Sequence, residues 1–385
     1  MNKSFLIAAL CAISVTTFAQ IRCGAERTEL YYSYLRNKNI AIVANAASLV
    51  GNVNVVDTLL QRGLKVEKIF CPEHGFRVYS EAGQTLKNSI DSATKIPVVS
   101  LYGKKRRPDP SDLKNVDIVV FDLQDVGVRC YTYLSTLSYM MEACSQANIP
   151  LMVFDRPNPN GFFIDGPVMD SSLFSFIGLH LVPLVYGMTI GEYAKMINEE
   201  GWLKGGMICD LQVIPLENYT HQTQYMLPVN PSPNLKSMIA ICLYPSLCLF
   251  EGTIISVGRG TLRPFEVFGH PDFTGVSYNF TPVQADGFPS PLYAKQVCYG
   301  LDLHDFFKTH ADQTGRLNLT WLIMAYNRLG KNPHFFNEMF DKLAGTTSLR
   351  NEIIAGKTEQ EIRLGWQEGL GNFKVIRKKY LIYPE

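Results

Sequence analysis

Val66-Glu67-Lys68-Ile69-Phe70-Cys71-Pro72-Glu73-His74-Gly75-Phe76 runs from a short apolar β-stretch directly into a carboxylate, an imidazole and a turn glycine. Two more stretches repeat the plan: Asp117-Ile118-Val119-Val120-Phe121-Asp122-Leu123-Gln124-Asp125, and Leu151-Met152-Val153-Phe154-Asp155-Arg156-Pro157-Asn158. In open α/β sheets, ligands bind at the carboxyl ends of the strands, where strand ends and helix N-termini converge on a crevice. Three strand ends carrying Glu73, Asp122, Asp125 and Asp155 therefore predict an acid-rich pocket suited to acid–base chemistry.

Working outward, apolar β-runs alternate with helical spacing from residue 39 to about 215. Asn39 to Asn45 reads as a strand, and Val53 to Arg62 as a helix stopped by Gly63. Tyr133, Leu134, Leu137, Met141 and Cys144 share one helical face. Thr189-Ile190-Gly191-Glu192 has the form of a capping box. Such alternation predicts βαβ units and a mostly parallel, Rossmann-like sheet over residues 20–215. Beyond 216 the texture changes: Pro228, Pro231, Pro233 and Pro245 punctuate a loop-rich stretch, and short β-runs and helices follow. We read 216–385 as a smaller C-terminal α/β domain, with the active site in the cleft between the two. The segment Phe373 to Tyr383 is compatible with a closing strand or a helix.

The plan does not imply a dinucleotide. The first strand runs into Asn45-Ala46-Ala47-Ser48 rather than GxGxxG, and GxxxxGK[ST] is absent. No cofactor is expected. A metal site at Cys71, Glu73 and His74 is disfavoured, because adjacent residues on an extended chain point opposite ways.

Residues 1–19 differ from the rest. Lys3 is their only charge, Phe5 to Val15 is apolar, and Thr17-Phe18-Ala19 ends in a small residue. This is the pattern of a signal peptide, too short to span a membrane, and it implies a periplasmic or secreted protein. Of 36 Lys and Arg residues, Lys3 lies in that leader, and the other 35 match 35 Asp and Glu. A neutral chain does not favour nucleic acid as partner. Nine cysteines are scattered through apolar segments without a CxxC pair and read mostly as small buried hydrophobes.

Glu73, wedged between Pro72 and His74-Gly75-Phe76, is the leading candidate for a general acid, since partial desolvation favours a protonated carboxyl. His74 orients it or satisfies the turn. Asp122, Asp125, Arg129 and Tyr131 belong to a polar–aromatic run that suits a sugar: polar groups for hydroxyls, aromatic faces for C–H surfaces, arginine for a carboxylate. The competing reading is an Asp–Arg structural pair with core aromatics. Asn158 sits in a turn that Asn, Pro and Gly chemistry alone explains equally well. Glu251-Gly252-Thr253 and Gly258-Arg259-Gly260-Thr261 frame a β-run, and the glycines beside Arg259 permit close backbone approach. Nucleophile alternatives are poor: GxSxG and HExxH are both absent.

Taken together, Cys71-Pro72-Glu73-His74-Gly75-Phe76, Phe121 to Arg129 with Tyr131-Thr132-Tyr133, Asp155-Arg156-Pro157-Asn158-Pro159, and Leu249 to Thr253 with Ser256 to Thr261 resemble the bacterial exo-β-N-acetylmuramidase family. The resemblance runs from about residue 25 to the C-terminus. It implies a glycosidase that releases N-acetylmuramic acid from the non-reducing end of peptidoglycan fragments, with muropeptides as partners and Glu73 catalytic. Glu81-Ala82-Gly83 also fits the family pattern; Ile254 departs from it, standing where a polar asparagine is expected. A glycosidase generally needs a second group beside the acid, and Asp122, Asp125 and Glu81 are the candidates. Arg129 and Arg259 are the candidates for the lactyl carboxylate. The rival reading is an exported muropeptide-binding protein without catalysis.

Overall fold

The computed structural model describes residues 20–77, 87–284, 290–309 and 315–385. Its centre is a seven-stranded sheet built from β1 (Asn39–Ala44), β2 (Lys65–Cys71), β3 (Ser89–Ile90), β4 (Pro97–Ser100), β5 (Ile118–Asp122), β6 (Leu151–Phe154) and β7 (Leu211–Ile214). The spatial order is β7-β6-β5-β1-β2-β4-β3, and every pairing is parallel except β3 with β4. The chain winds outward from β1 through β2 and β4, then returns to β5 on the other side. The switch point therefore lies between β1 and β5, where strand ends separate and leave a crevice.

The central strands β1, β5 and β6 are buried on both faces because apolar residues occupy nearly every position. Ile40, Ile42 and Ala44 face a cluster formed with Tyr31 and Leu35 of α1 (Thr28–Leu35) and Val55, Val56 and Leu59 of α2 (Val55–Gln61). Ala41 and Val43 face the other way, toward α3 (Tyr133–Ala147) and α4 (Ile190–Glu199). That second cluster continues without a break into Tyr244, Phe250, Phe268 and Trp321 of the C-terminal half. The two halves thus share one core. The box at Thr189 caps α4: the Glu192 amide donates to Thr189 Oγ1 at 3.2 Å, and the Thr189 amide to Glu192 Oε2 at 2.9 Å.

Two features differ from expectation. The proline-punctuated stretch contains α5 (Met238–Leu247), with Pro245 inside it. Proline has no amide for the carbonyl one turn back, that of Ile241. Asn160 Nδ2 donates to that carbonyl instead, at 3.1 Å. Ile254 to Val257 forms only a bridge, Ser256 to Gly269, while Val267–His270 is the true strand. The C-terminal segment is a helix, Gln367–Lys378, followed by an extended tail that returns to the first half. The eight cysteines from Cys23 to Cys298 are free thiols. Among the described residues, no helix is long and apolar enough to cross a membrane.

Candidate active site

The residues that follow β2 are bent by two successive left-handed conformations, His74 at φ 74° and Gly75 at φ 86°. Left-handed backbone is uncommon for a side-chain-bearing residue and clusters at functional sites. The Gly75 amide closes the turn on the Pro72 carbonyl at 3.2 Å. Glu73 is half-buried, and its Oε2 accepts from Thr132 Oγ1 at 3.0 Å. Thr132 precedes α3 in helical backbone, so its hydroxyl makes no cap and turns to Glu73 instead. Tyr102, which follows β4, adds a second hydroxyl: burial, then the charge and hydrogen bond of Glu73, push its phenol well above the usual range. Three strand ends of the sheet, those of β2, β4 and β5, converge here.

A cavity of about 290 Å³ opens at this point. Glu73, His74, Tyr102 and Tyr131 to Tyr133 line it from the sheet side, and Asn234, Tyr244, Glu251, Arg259 and Phe265 from beyond residue 230. Among the described residues, Glu73 and Glu251 are its carboxylates. Arg259 pairs with Glu251 and lies over the Phe265 ring, its guanidinium carbon 5.3 Å from the centroid. Its side chain keeps 29% exposure. Burial opposes the charge of Arg259, but Glu251, Tyr244 and Glu73 outweigh it and raise the pKa. The wall is therefore acidic at the strand ends and carries a guanidinium beyond them.

The remaining acids expected in the pocket stand elsewhere. Asp122 is fully buried and grips Arg156 in a two-point pair, Nε–Oδ1 2.6 Å and Nη2–Oδ2 2.9 Å. Asp125 is buried, accepting on Oδ2 from the Tyr186 hydroxyl and, at 2.7 Å, from the Gly127 amide. Burial pushes its carboxyl up to about 6. Asp155 accepts from Thr189 Oγ1, the Gly191 amide and the Tyr383 hydroxyl at 2.7, 2.8 and 2.5 Å. The acid-rich pocket is corrected accordingly: neither Asp122, Asp125 nor Asp155 lines the cavity.

Arg129 and Asn158 are corrected in the same way. Arg129 is 2% exposed and donates to the carbonyls of Pro167, Val182 and Leu343 at 3.0, 2.9 and 2.9 Å. It ties the first half to Leu343, itself a wall residue, and does not line the cavity. Asn158 donates to the Met188 carbonyl at 2.8 Å and caps its own turn at Asn160. Of the expected residues, the structure brings Glu73, His74, Tyr131, Glu251 and Arg259 together. Glu81 lies outside the described residues. Tyr102, Asn234 and Tyr244 escaped the sequence reading. Nothing local marks them; only their convergence does.

A doubly wound sheet with a hydroxyl-held glutamate one strand from its switch point, closed over by a second half bearing an arginine, defines an α/β crevice enzyme with acid–base equipment. Models of the exo-beta-N-acetylmuramidase family match the chain in two parts, the N-terminal part over residues 40–239 and the C-terminal part over 242–383. The chain belongs to that family. It is 37% identical over 375 residues to a peptidoglycan beta-N-acetylmuramidase of Bacillus subtilis (strain 168), covering 92% of this chain and 89% of the relative. Two crystal structures of DUF1343 family proteins from Bacteroides fragilis share the fold. One has a TM-score of 0.89 at 44% identity, over 95% of this chain and 100% of its own. The other has a TM-score of 0.80 at 25% identity, over 94% and 99%.

Proposed function

We propose that this chain is an exo-acting glycosidase that hydrolyses the β-linkage of a terminal N-acetylmuramyl residue at the non-reducing end of peptidoglycan fragments, with Glu73 as general acid. The observation that carries the assignment is Glu73 on the cavity wall, held by the Thr132 hydroxyl at the carboxyl-end rim of the sheet. In this reading Glu73 passes its proton to the leaving glycosidic oxygen as the C1–O bond breaks, and water supplies the new hydroxyl at C1. The second role falls to a group other than Asp122, whose oxygens hold Arg156, or Asp125, which is buried off the cavity wall. Glu81 and the other carboxylate of the wall, Glu251, are the two that remain. Arg259 reads the lactyl carboxylate, since a guanidinium at the edge of a partly dry cavity can bond both oxygens. His74 and Tyr131 complete the sugar site.

Muropeptides and peptidoglycan-derived disaccharides are the substrates in this reading, and the leader at residues 1–19 delivers the protein to the periplasm or outside the cell. A cell-isolated protein whose mass corresponds to a chain starting at Gln20 supports that address; an intact Met1 start in the cytosol contradicts it. The activity is tested by incubating purified protein with a chromogenic β-N-acetylmuraminide. Chromophore release is expected. Tight binding of N-acetylmuramic acid without release would instead mark a binding protein.

A further inference from the structure

The turn Pro231 to Leu235 forms part of the cavity wall and is held from several sides. The hydroxyls of Tyr131 and Tyr133 both donate to the Pro231 carbonyl, at 3.1 and 3.3 Å, and Asn45 Nδ2 fixes Tyr133 at 2.8 Å. Ser232 Oγ accepts from the amides of Asn234 and Leu235, each at 3.3 Å. Asn234 is consequently 5% exposed and has little room to move as a backbone unit. Yet its Oδ1 is sealed from bulk water and accepts no hydrogen bond. Buried carbonyl oxygens nearly always find a donor, and leaving one unpaired opposes folding. An unpaired acceptor on the wall of a ligand cavity has an explanation if the ligand brings the donor.

The neighbouring wall says what kind of donor. Leu235, Tyr244 and Phe265 line the same cavity, with the Tyr244 and Phe265 rings edge to face at 5.0 Å. A group that pairs with this corner offers one N–H beside a small apolar tail. A secondary acetamide has that form. We infer that Asn234 accepts a hydrogen bond from the N–H of the sugar's 2-acetamido group, with the acetyl methyl against Leu235, Tyr244 and Phe265, and so selects 2-acetamido over 2-hydroxy sugars. The asparagine χ2 torsion is broad, so the amide can present its oxygen without disturbing the turn. This inference rests on the glycosidase reading above and adds a specificity-determining residue to it.

The test is calorimetric titration of the purified protein with N-acetylmuramic acid and with 3-O-lactylglucose, which carries a hydroxyl in place of the acetamido group. The wild type should prefer the acetamido sugar. N234L has similar shape but no acceptor, and should bind N-acetylmuramic acid roughly 10- to 100-fold more weakly while 3-O-lactylglucose is little changed. N234D keeps an acceptor and should keep the preference. Equal losses for both sugars, or an unchanged preference in N234L, overturn the inference. N234L should also melt at or above the wild-type temperature, because it removes an unpaired buried oxygen; a clear drop means the amide serves the fold and overturns the inference too. A wild type that neither binds N-acetylmuramic acid nor cleaves the muraminide sinks the glycosidase reading itself. One that cleaves while N234L retains its preference sinks only the role of Asn234.

Discussion

Ile69-Phe70-Cys71-Pro72-Glu73 and Val153-Phe154-Asp155-Arg156-Pro157 look alike: an apolar strand, an acid and a proline. Their acids have opposite fates. Glu73 lies two residues beyond β2, one strand from the switch point, and faces a cavity. Asp155 directly follows β6, and its rim is closed by the start of α4 and by the C-terminal tail. Gly191 makes the closure possible: a Cβ there would lie 2.7 Å from the Asp155 carboxyl carbon. Asp122, at the end of β5, is filled by Arg156 from the neighbouring strand end. A strand-end carboxylate is thus a site only where the crevice stays open; where another element arrives, the same residue type becomes a tie within the scaffold.

The comparison is broken most directly at Glu73. Glu73→Gln keeps the shape and removes the transferable proton, so turnover of the muraminide should fall roughly 10²- to 10⁴-fold, with an unchanged melting curve. Near-normal turnover would move the acid elsewhere. The reverse pattern is expected at Asp122. Asp122→Ala strands Arg156 in the interior and should destabilise the fold by about 3–5 kcal/mol; equilibrium denaturation measures this. An Asp122→Ala protein as stable as the wild type would mean the pair is not the tie described here.

The two arginines sharpen the same contrast. Arg259→Met should weaken transition-state binding of the muraminide by about 1.5–3 kcal/mol, the range for a hydrogen bond to a charged group, and narrow the preference over a β-N-acetylglucosaminide. Arg129→Met should lower stability, since three carbonyls lose their donor, and leave that preference intact. Comparing kcat/KM on the two substrates separates them, and an intact preference in Arg259→Met removes it as the reader.

The smallest effect is in pH. Burial first, and the charge of Glu192 with it, push the Asp155 carboxyl up to about 7 against the donors that favour its charge. The folded chain holds that proton where the unfolded chain has released it, so stability from this group is present below about pH 4, the usual Asp value, and is lost as pH rises toward 7. Asp155→Asn should flatten the fall in stability between pH 4 and 7. An identical slope in wild type and variant would show that Asp155 ionises normally.

Much of this was legible in the chain. Periodicity placed β1, β5 and β6, because strands buried on both faces read as unbroken apolar runs, and β2 through its apolar end, Ile69 to Cys71. Thr189 and Glu192 announced their helix by local chemistry. Glu73 was legible because a turn with His74 and Gly75 follows a buried strand. What the chain could not show is which rim stays open, since Tyr383 reaches Asp155 across 228 residues. Arg129 and Arg259 were indistinguishable for the same reason, each an arginine in a glycine-containing segment. Pro245 misled because the donor that repairs its helix, Asn160, is supplied from another element. Short-range periodicity and turn chemistry sufficed for the central strands, the faces they bury and the acid that follows β2. That Asp122, Asp125, Arg129 and Asn158 serve the scaffold, and that Tyr102, Asn234 and Tyr244 join the cavity, was settled by folding, because partnership and exposure depend on segments that meet only in the folded chain.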